Sequence, residues 1–378
     1  LDRSERGMVV AQAGAAMGRE FTHRLLEAVL APMPQLQMLK AIDRLLKAEL
    51  LFRTGEGSDA TYTFKHALIR DTAYSSMVTS VRRSIHARIA AALQEIQADD
   101  IANQPEILAY HFQEASNVKV AYEHWCEAGD LAIGRTAIRE GVTHYQAALA
   151  LLGDAVEPPS DREAELELQM KLGAALMNCE GYRSPRTKKC FSRALELCAG
   201  SEDINRHLAA CAGIAPSFFA TGAFTDVLDM FENIPADVLA TADPANQIDR
   251  EACLGISRFH LGQFHRAWSH LLAAKNLDDA NAHARGRLLG GAISCIPIRS
   301  YGTRVLAYSG YLDSGLALAQ DALRIAESIV QPTAEVWALQ ALTIQLMLKG
   351  SYAEAAELAN RCMRISESIG MTTRLGVA

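Results

Sequence analysis

The sequence predicts an all-α chain with one small β-hairpin: a compact module first, then a long run of paired helices. Three observations carry this. Aromatic residues are only 6% of 378 residues while hydrophobic residues are 49%, and many of these are Ala and Leu. That mix suits helices packed closely on helices. Strand-like alternation is confined to a stretch around residues 61–64. Beyond Pro105 the chain shows no convincing strand and repeats itself instead.

The module reads as follows. Residues 1–18 carry Val9, Val10, Ala13, Ala15, Ala16 and Met17, a small-residue helix that ends at Gly18. Phe21 is expected to open a second helix with Leu25, Leu26, Ala28 and Val29, broken by Pro32 and Pro34. Leu36, Leu39, Ile42, Leu45 and Leu46 form the apolar stripe of a third helix. Residues 50–52 read as a strand, 54–60 (TGEGSDA) as a turn, and 62–64 as the returning strand, with Tyr62 and Phe64 on one face. This helix, helix, hairpin order is that of a winged helix. At His66 the period changes. Ala67, Leu68, Asp71 and Tyr74 fall at helical spacing. The helix runs on, with a break near Thr79, through Ile85, Ile89, Leu93 and Ile96.

The remainder repeats. Residues 324–329 (RIAESI) recur as RISESI at 364–369. Glycine–aromatic turns lie at Gly222/Phe224, Gly262/Phe264 and Gly350/Tyr352, with a variant at Gly310/Tyr311. Ala267, Ala317, Ala355 and Ala359 are the expected contact points between paired helices. Pro185, Pro297 and Pro332 sit where a new helix would start, a position that tolerates a missing N–H. Earlier units, at 125–151 and 166–197, are more degenerate. One helix pair cannot bury its own apolar face, so neighbours stack into a solenoid. The pattern resembles tetratricopeptide repeats with a period nearer 40 than 34, in roughly six pairs.

Composition narrows the function classes. The net charge is −7 and the isoelectric point about 5.9, which argues against nucleic-acid binding by the chain as a whole. The eight cysteines form no Cys-x-x-Cys pair and lie in apolar helical stretches, as free thiols of a reducing cytoplasm do. No apolar run reaches the roughly 18 residues of a membrane span. The chain begins at Leu1 and reads as part of something longer.

The search for chemistry is mostly negative. The sequence holds no phosphate loop, no His-Glu-x-x-His and no Gly-x-Ser-x-Gly. Spaced by five on a helix, His260, His265 and His270 turn roughly 140° apart and share no face, which excludes a joint metal site. No catalytic residue and no metal ligand is assigned. Lys65, Arg70, Arg82, Arg83 and Arg88, less Asp71, leave a local charge of +4 over residues 62–90. This zone is a candidate contact surface, for phosphates or for an acidic domain. The third helix carries Lys40, Arg44 and Lys47 but little beyond Gln35 and Gln37 to read bases, so DNA is not the expected partner. A second basic stretch, residues 181–189 (GYRSPRTKK), reads as a solvated turn.

These residues also carry a family resemblance. Residues 18–21 (GREF), 45–52 (LLKAELLF) and 62–74 (YTFKHALIRDTAY) look like those of bacterial multidomain signalling proteins. So do 86–90 (HARIA), 108–111 (LAYH), 125–129 (WCEAG) and 172–176 (LGAAL). In that family a class III adenylate/guanylate cyclase domain precedes a STAND/AAA-type signal-transduction ATPase, and tetratricopeptide-like repeats follow. The resemblance implies that 1–18 ends an ATPase helical region, 19–97 is a winged-helix-like module and 98–378 is the repeat array. It implies a cytoplasmic, non-catalytic regulatory region. ATP or ADP and Mg would sit in an upstream ATPase partner in cis, and a protein or peptide would bind the repeats. His66 resembles the histidine of the Met-His-Asp motif in NB-ARC switch ATPases, which contacts the β-phosphate of ADP. Here Lys65 replaces the Met and Ala67 the Asp. ATPases with similar repeats also occur in LuxR-type transcription regulators, the alternative the resemblance leaves open.

Overall fold

The structure, a computed structural model, describes residues 2–31, 33–96, 101–154, 162–199, 203–281, 288–289, 292–329 and 331–368. Leu1, Pro32, the expected boundary at 97/98 and the last residue of the second repeat copy, Ile369, lie outside them. The chain divides into two compact units, Leu1–Asp161 and Arg162–Ala378.

The first unit opens with α1 (Asp2–Met17), β1 (Glu20–Thr22), α2 (His23–Val29) and α3 (Gln35–Lys47). There follow β2 (Leu51–Thr54), β3 (Thr61–Phe64), α4 (Ala67–Ser75) and α5 (Thr79–Ile96). The sheet is antiparallel in the order β1–β3–β2, with Phe21 opposite Tyr62 and Leu51 opposite Phe64. The hairpin and the break before Thr79 lie where the sequence places them. Phe21 does not open a helix. It sits in a third strand, and its ring lies 5.7 Å from that of Tyr62 and 5.8 Å from that of Phe64. The helix starts after it because Thr22 caps the helix, its Oγ1 accepting from Leu25 N at 3.2 Å. Val10 and Ala13 of α1, Leu26, Met38, Leu51, Phe64 and Ile89 all enter one buried core. A side chain at Gly14 would meet the Phe21 ring at 2.5 Å, so only glycine lets α1 lie this close to the sheet.

Among the described residues, this unit continues with α6 (Pro105–Glu114), α7 (Val118–Gly134) and α8 (Ile138–Asp154). Leu108 of α6 joins the same core as α5.

The second unit is a stack of helix pairs. They are α9 (Arg162–Glu180) with α10 (Pro185–Cys198), and α11 (Ile204–Phe219) with α12 (Phe224–Glu232), followed by the short α13 (Ala236–Leu239). Then come α14 (Pro244–His260) with α15 (Phe264–Ala280), α16 (Cys295–Tyr308) with α17 (Leu312–Ile329), and α18 (Pro332–Leu348) with α19 (Tyr352–Ser368). The fold class is therefore all-α with a small three-stranded sheet in the first unit, the second unit an α-solenoid. Pro185 and Pro332 stand at helix starts, as their missing N–H allows. Pro297 falls inside the first turn of α16 instead, which begins at Cys295.

Two differences from the sequence reading have clear causes. A two-residue hairpin, Leu288–Leu289 with Ala292–Ile293, lies where only helix was expected; it is too short to leave a periodic signal. Ala317 is exposed and Ala359 only half-buried, so neither is the close contact expected. The contact position is the fifth residue after each turn glycine: Val227, Ala267, Gly315 and Ala355, all buried. The four glycines, Gly222, Gly262, Gly310 and Gly350, have φ between 74° and 87°, the left-handed conformation that ends the first helix of each pair.

Candidate functional site

The joint singled out in the sequence is the start of α4. His66 is its N-cap residue, in extended backbone (φ −135°, ψ 141°), exposed, with no side-chain capping bond. The expected basic surface around it is largely compensated. Lys65 is paired with Glu49 and sits 5.6 Å over the Phe52 ring. Arg70 donates to Asp71 Oδ1 from Nε at 2.8 Å and Nη2 at 2.6 Å. Arg82 lies 3.7 Å from Glu114 and over the Tyr74 ring. Arg83 is exposed and Arg88 half-buried, with Arg88 Nη2 enclosed and lacking a hydrogen bond. Ion pairs thus cancel much of the +4 that the sequence suggests.

The second basic stretch is not a solvated loop throughout. Arg183 donates to the carbonyl of Ala220 at 2.8 Å, Arg186 pairs with Glu180, and Lys188 lies 5.1 Å over the Phe218 ring. These side chains tie α10 to its neighbours. The three spaced histidines do separate: His260 stacks on Phe224 at 4.4 Å, His270 Nδ1 lies 2.7 Å from Glu251, and His265 lies on a groove.

That groove, in the second unit, has a volume of about 1290 Å³. Its sides are α15 and α17, and its floor is the last half of α16. Helix α15 carries two apolar stripes. Ala267, Leu271 and Ala274 face the core, while Phe264, Trp268 and Leu272 line the groove. Tyr311, Leu318 and Ile325 line the opposite side. At one end the groove is charged. Arg299, 1% exposed, donates to Asp278 at 2.8 Å, to Asp321 at 2.9 Å and to the Cys295 carbonyl at 3.1 Å, and also pairs with Asp279. Lys275 pairs with Asp279 at 2.6 Å and Arg324 with Asp321 at 2.5 Å.

Three cations and three carboxylates therefore balance there. Burial alone would lower the Arg299 pKa, but hydrogen bonds to Asp321 and Asp278 outweigh it and hold the guanidinium charged. Burial likewise would raise Asp321, and the bonds from Arg324 and Arg299 carry it below the usual range. The chemistry on offer is recognition: apolar and aromatic walls with fixed, oriented charges at one end. Among the described residues no group of three His, Cys, Asp or Glu is arranged to hold a metal ion, and no helix is long and apolar enough to cross a membrane. The groove was missed in the sequence because its two sides lie some 50 residues apart. The local signal was the second stripe on α15.

No family model matches the chain. An uncharacterized protein of Rhizobium meliloti (strain 1021) is 27% identical over 188 residues, 50% of this chain and 18% of that protein. The match thus spans less than a fifth of the relative's length. Among solved structures, the chain is similar to the apo form of RapI with a TM-score of 0.49 at 12% identity, over 90% of this chain and 82% of that one. It is also similar to a signal transduction ATPase with numerous domains bearing a tetratricopeptide repeat sensor, from Pyrococcus horikoshii. There the TM-score is 0.35 at 11% identity, over 98% of this chain and 65% of that one.

Proposed function

We propose that this chain is the sensor and relay segment of a larger signalling protein. Its helix pairs bind an extended peptide stretch of a protein partner in the groove between α15 and α17. The first unit is a winged helix joined to the leading repeat helices. It reports occupancy to a nucleotide-binding ATPase domain outside this chain, of the kind linked to class III cyclases. The observation that carries the binding reading is the groove itself. Phe264, Trp268, Tyr311 and Leu318 give apolar area, and the paired charges at one end give direction. The relay reading is supported by His66, exposed at a helix start with no capping bond of its own. Occupancy shifts a switch only by the ligand's differential affinity for its two states.

The test is selection of a phage-displayed peptide library on the full chain, repeated against Trp268→Ala/Leu318→Ser. Selected peptides should lose at least about tenfold in affinity against the double variant, since buried aromatic anchors dominate such interfaces. Peptides that bind the double variant as tightly would place the ligand elsewhere and sink the groove reading.

A further inference from the structure

The groove between α15 and α17 is not one even trough. Its lining residues sort along α16, the helix at its floor. Arg299 lies at the charged end, and Val305, Leu306 and Ser309 lie toward the other. Between them on α16 stands Gly302, buried. A Cβ added there would meet Leu318 Cδ2 at 2.9 Å and Trp268 Cζ3 at 3.4 Å. Trp268 belongs to α15 and Leu318 to α17. One side chain from each wall therefore reaches over the floor to the same point. Carbon atoms in contact sit about 3.5–4.0 Å apart, so a larger residue at 302 would push Leu318 up from α16. Glycine is what lets the two side chains lie this low.

Trp268 and Leu318 thus form a sill across the groove. On one side of it Phe264, Val305, Leu306 and Tyr311 enclose an apolar end. On the other lie Leu272, Ile325 and the balanced charges around Arg299. An extended peptide laid along the groove advances about 3.3 Å per residue, with side chains pointing alternately down and up. It can sink a large side chain on either side of the sill. Over the sill the depth is already taken by the indole and the leucine, and a side chain pointing down meets close-packed atoms.

We propose, on the footing that this groove is the peptide site, that Trp268 and Leu318 set its specificity. The bound peptide carries glycine or alanine where it crosses them, and a large apolar residue on the side of Phe264 and Tyr311. A leucine at the crossing must lift the peptide or displace a side chain, an overpacking that weakens binding about tenfold or more.

The test uses peptides selected on the full chain, kept only if Trp268→Ala/Leu318→Ser weakens them, with leucine then placed at each position in turn. Fluorescence anisotropy should find one interior position, occupied by glycine or alanine in the selected set, where leucine costs at least about tenfold in affinity. Leu318→Ala lowers the sill. On that variant the same leucine peptide should come within about threefold of its parent, while leucine at other positions gains nothing. Should Leu318→Ala not fold, Trp268→Phe lowers the sill from the other wall and is read in the same way. Groove-dependent peptides that accept leucine everywhere overturn the sill and leave the groove as the binding site. So does a leucine-intolerant position that the lowered sill does not relieve. If the double variant weakens none of the selected peptides, the groove fails and the sill with it.

Discussion

The imidazoles of His86 and His111 meet Nδ1 to Nδ1 at 2.8 Å inside the first unit. The hydrogen bonds around them fix every proton. Tyr74 donates its hydroxyl proton to Glu114 Oε2 at 3.1 Å, so it accepts from His86 Nε2 at 3.0 Å. His86 Nδ1 is then bare and accepts from His111 Nδ1. The chain runs from α6 through α5 to α4 and back to α6, and it holds only while His86 is neutral, because a proton on its Nδ1 would remove the acceptor for His111.

Acid should therefore unpick this unit. Burial pushes His111 down to about 3, and lowers His86 as well. Unfolded, both rings take a proton near a pH of about 6.5. Between about 6.5 and about 3 the unfolded chain binds more protons, so stability is full above that window and falls as pH falls through it. The slope is up to about 1.4 kcal/mol per pH unit for each histidine. Urea midpoints measured at about pH 7.5 and about pH 5 should differ accordingly. His111→Gln should be less stable at neutral pH and show a flatter profile; an unchanged slope in that variant contradicts the assignment.

Arg299 poses the corresponding question in the second unit. Replacing it with Met strands Asp278, 2% exposed, without its cation. Breaking a buried pair on one side costs about 3–5 kcal/mol, whereas replacing both partners with apolar residues is often close to neutral. Denaturant unfolding should thus find Arg299→Met strongly destabilised and Arg299→Met/Asp278→Leu largely recovered. A double variant no better than the single one would show that Arg299 matters for its packing or its other bonds instead.

Local pattern made much of this fold legible. The alternation of Tyr62 and Phe64 marked the strand, and the glycine–aromatic turns marked the helix pairs. Phe21 misled because three residues are too few to show a period, and its strand exists only by pairing with residues some 40 positions away. Ala317 misled because it is a small residue near the turn but not at the contact register; counting five from Gly310 finds Gly315. The groove and the His86–His111 contact join residues that no local motif connects. His66 was singled out only through resemblance; what the folded chain adds is its exposure.

Gly315 gives that register a direct check. A Cβ there would lie 2.5 Å from Gln345 Nε2, whose amide is buried and donates to the Thr303 carbonyl at 2.8 Å. Gly315→Ala must displace that amide, and overpacking of this kind costs about 1–3 kcal/mol. Gly7, within α1, has nothing within 4 Å of its added Cβ. There the same substitution should stabilise by about 0.5–1 kcal/mol through helix propensity alone. Thermal unfolding of the two variants should move in opposite directions; a tolerated Gly315→Ala means that α17 and α18 have slack at this contact.

The relay reading makes His66 the residue to change in the full-length protein. Its ring is exposed, lacks a capping bond, and starts α4, the helix whose Tyr74 begins the chain through His86 to His111. A histidine that contacts the β-phosphate of ADP contributes a hydrogen bond to a charged group, worth about 1.5–3 kcal/mol. His66→Ala should then speed ADP release by roughly tenfold to a hundredfold, measured with a fluorescent ADP analogue. His66→Asn, which restores a donor without the ring, should recover part of the loss. Arg139→Ala, an exposed arginine on α8 outside the basic zone, serves as the charge control and should leave release unchanged. Equal off-rates for wild type and His66→Ala would remove His66 from the nucleotide site and leave the repeat groove to stand on its own test.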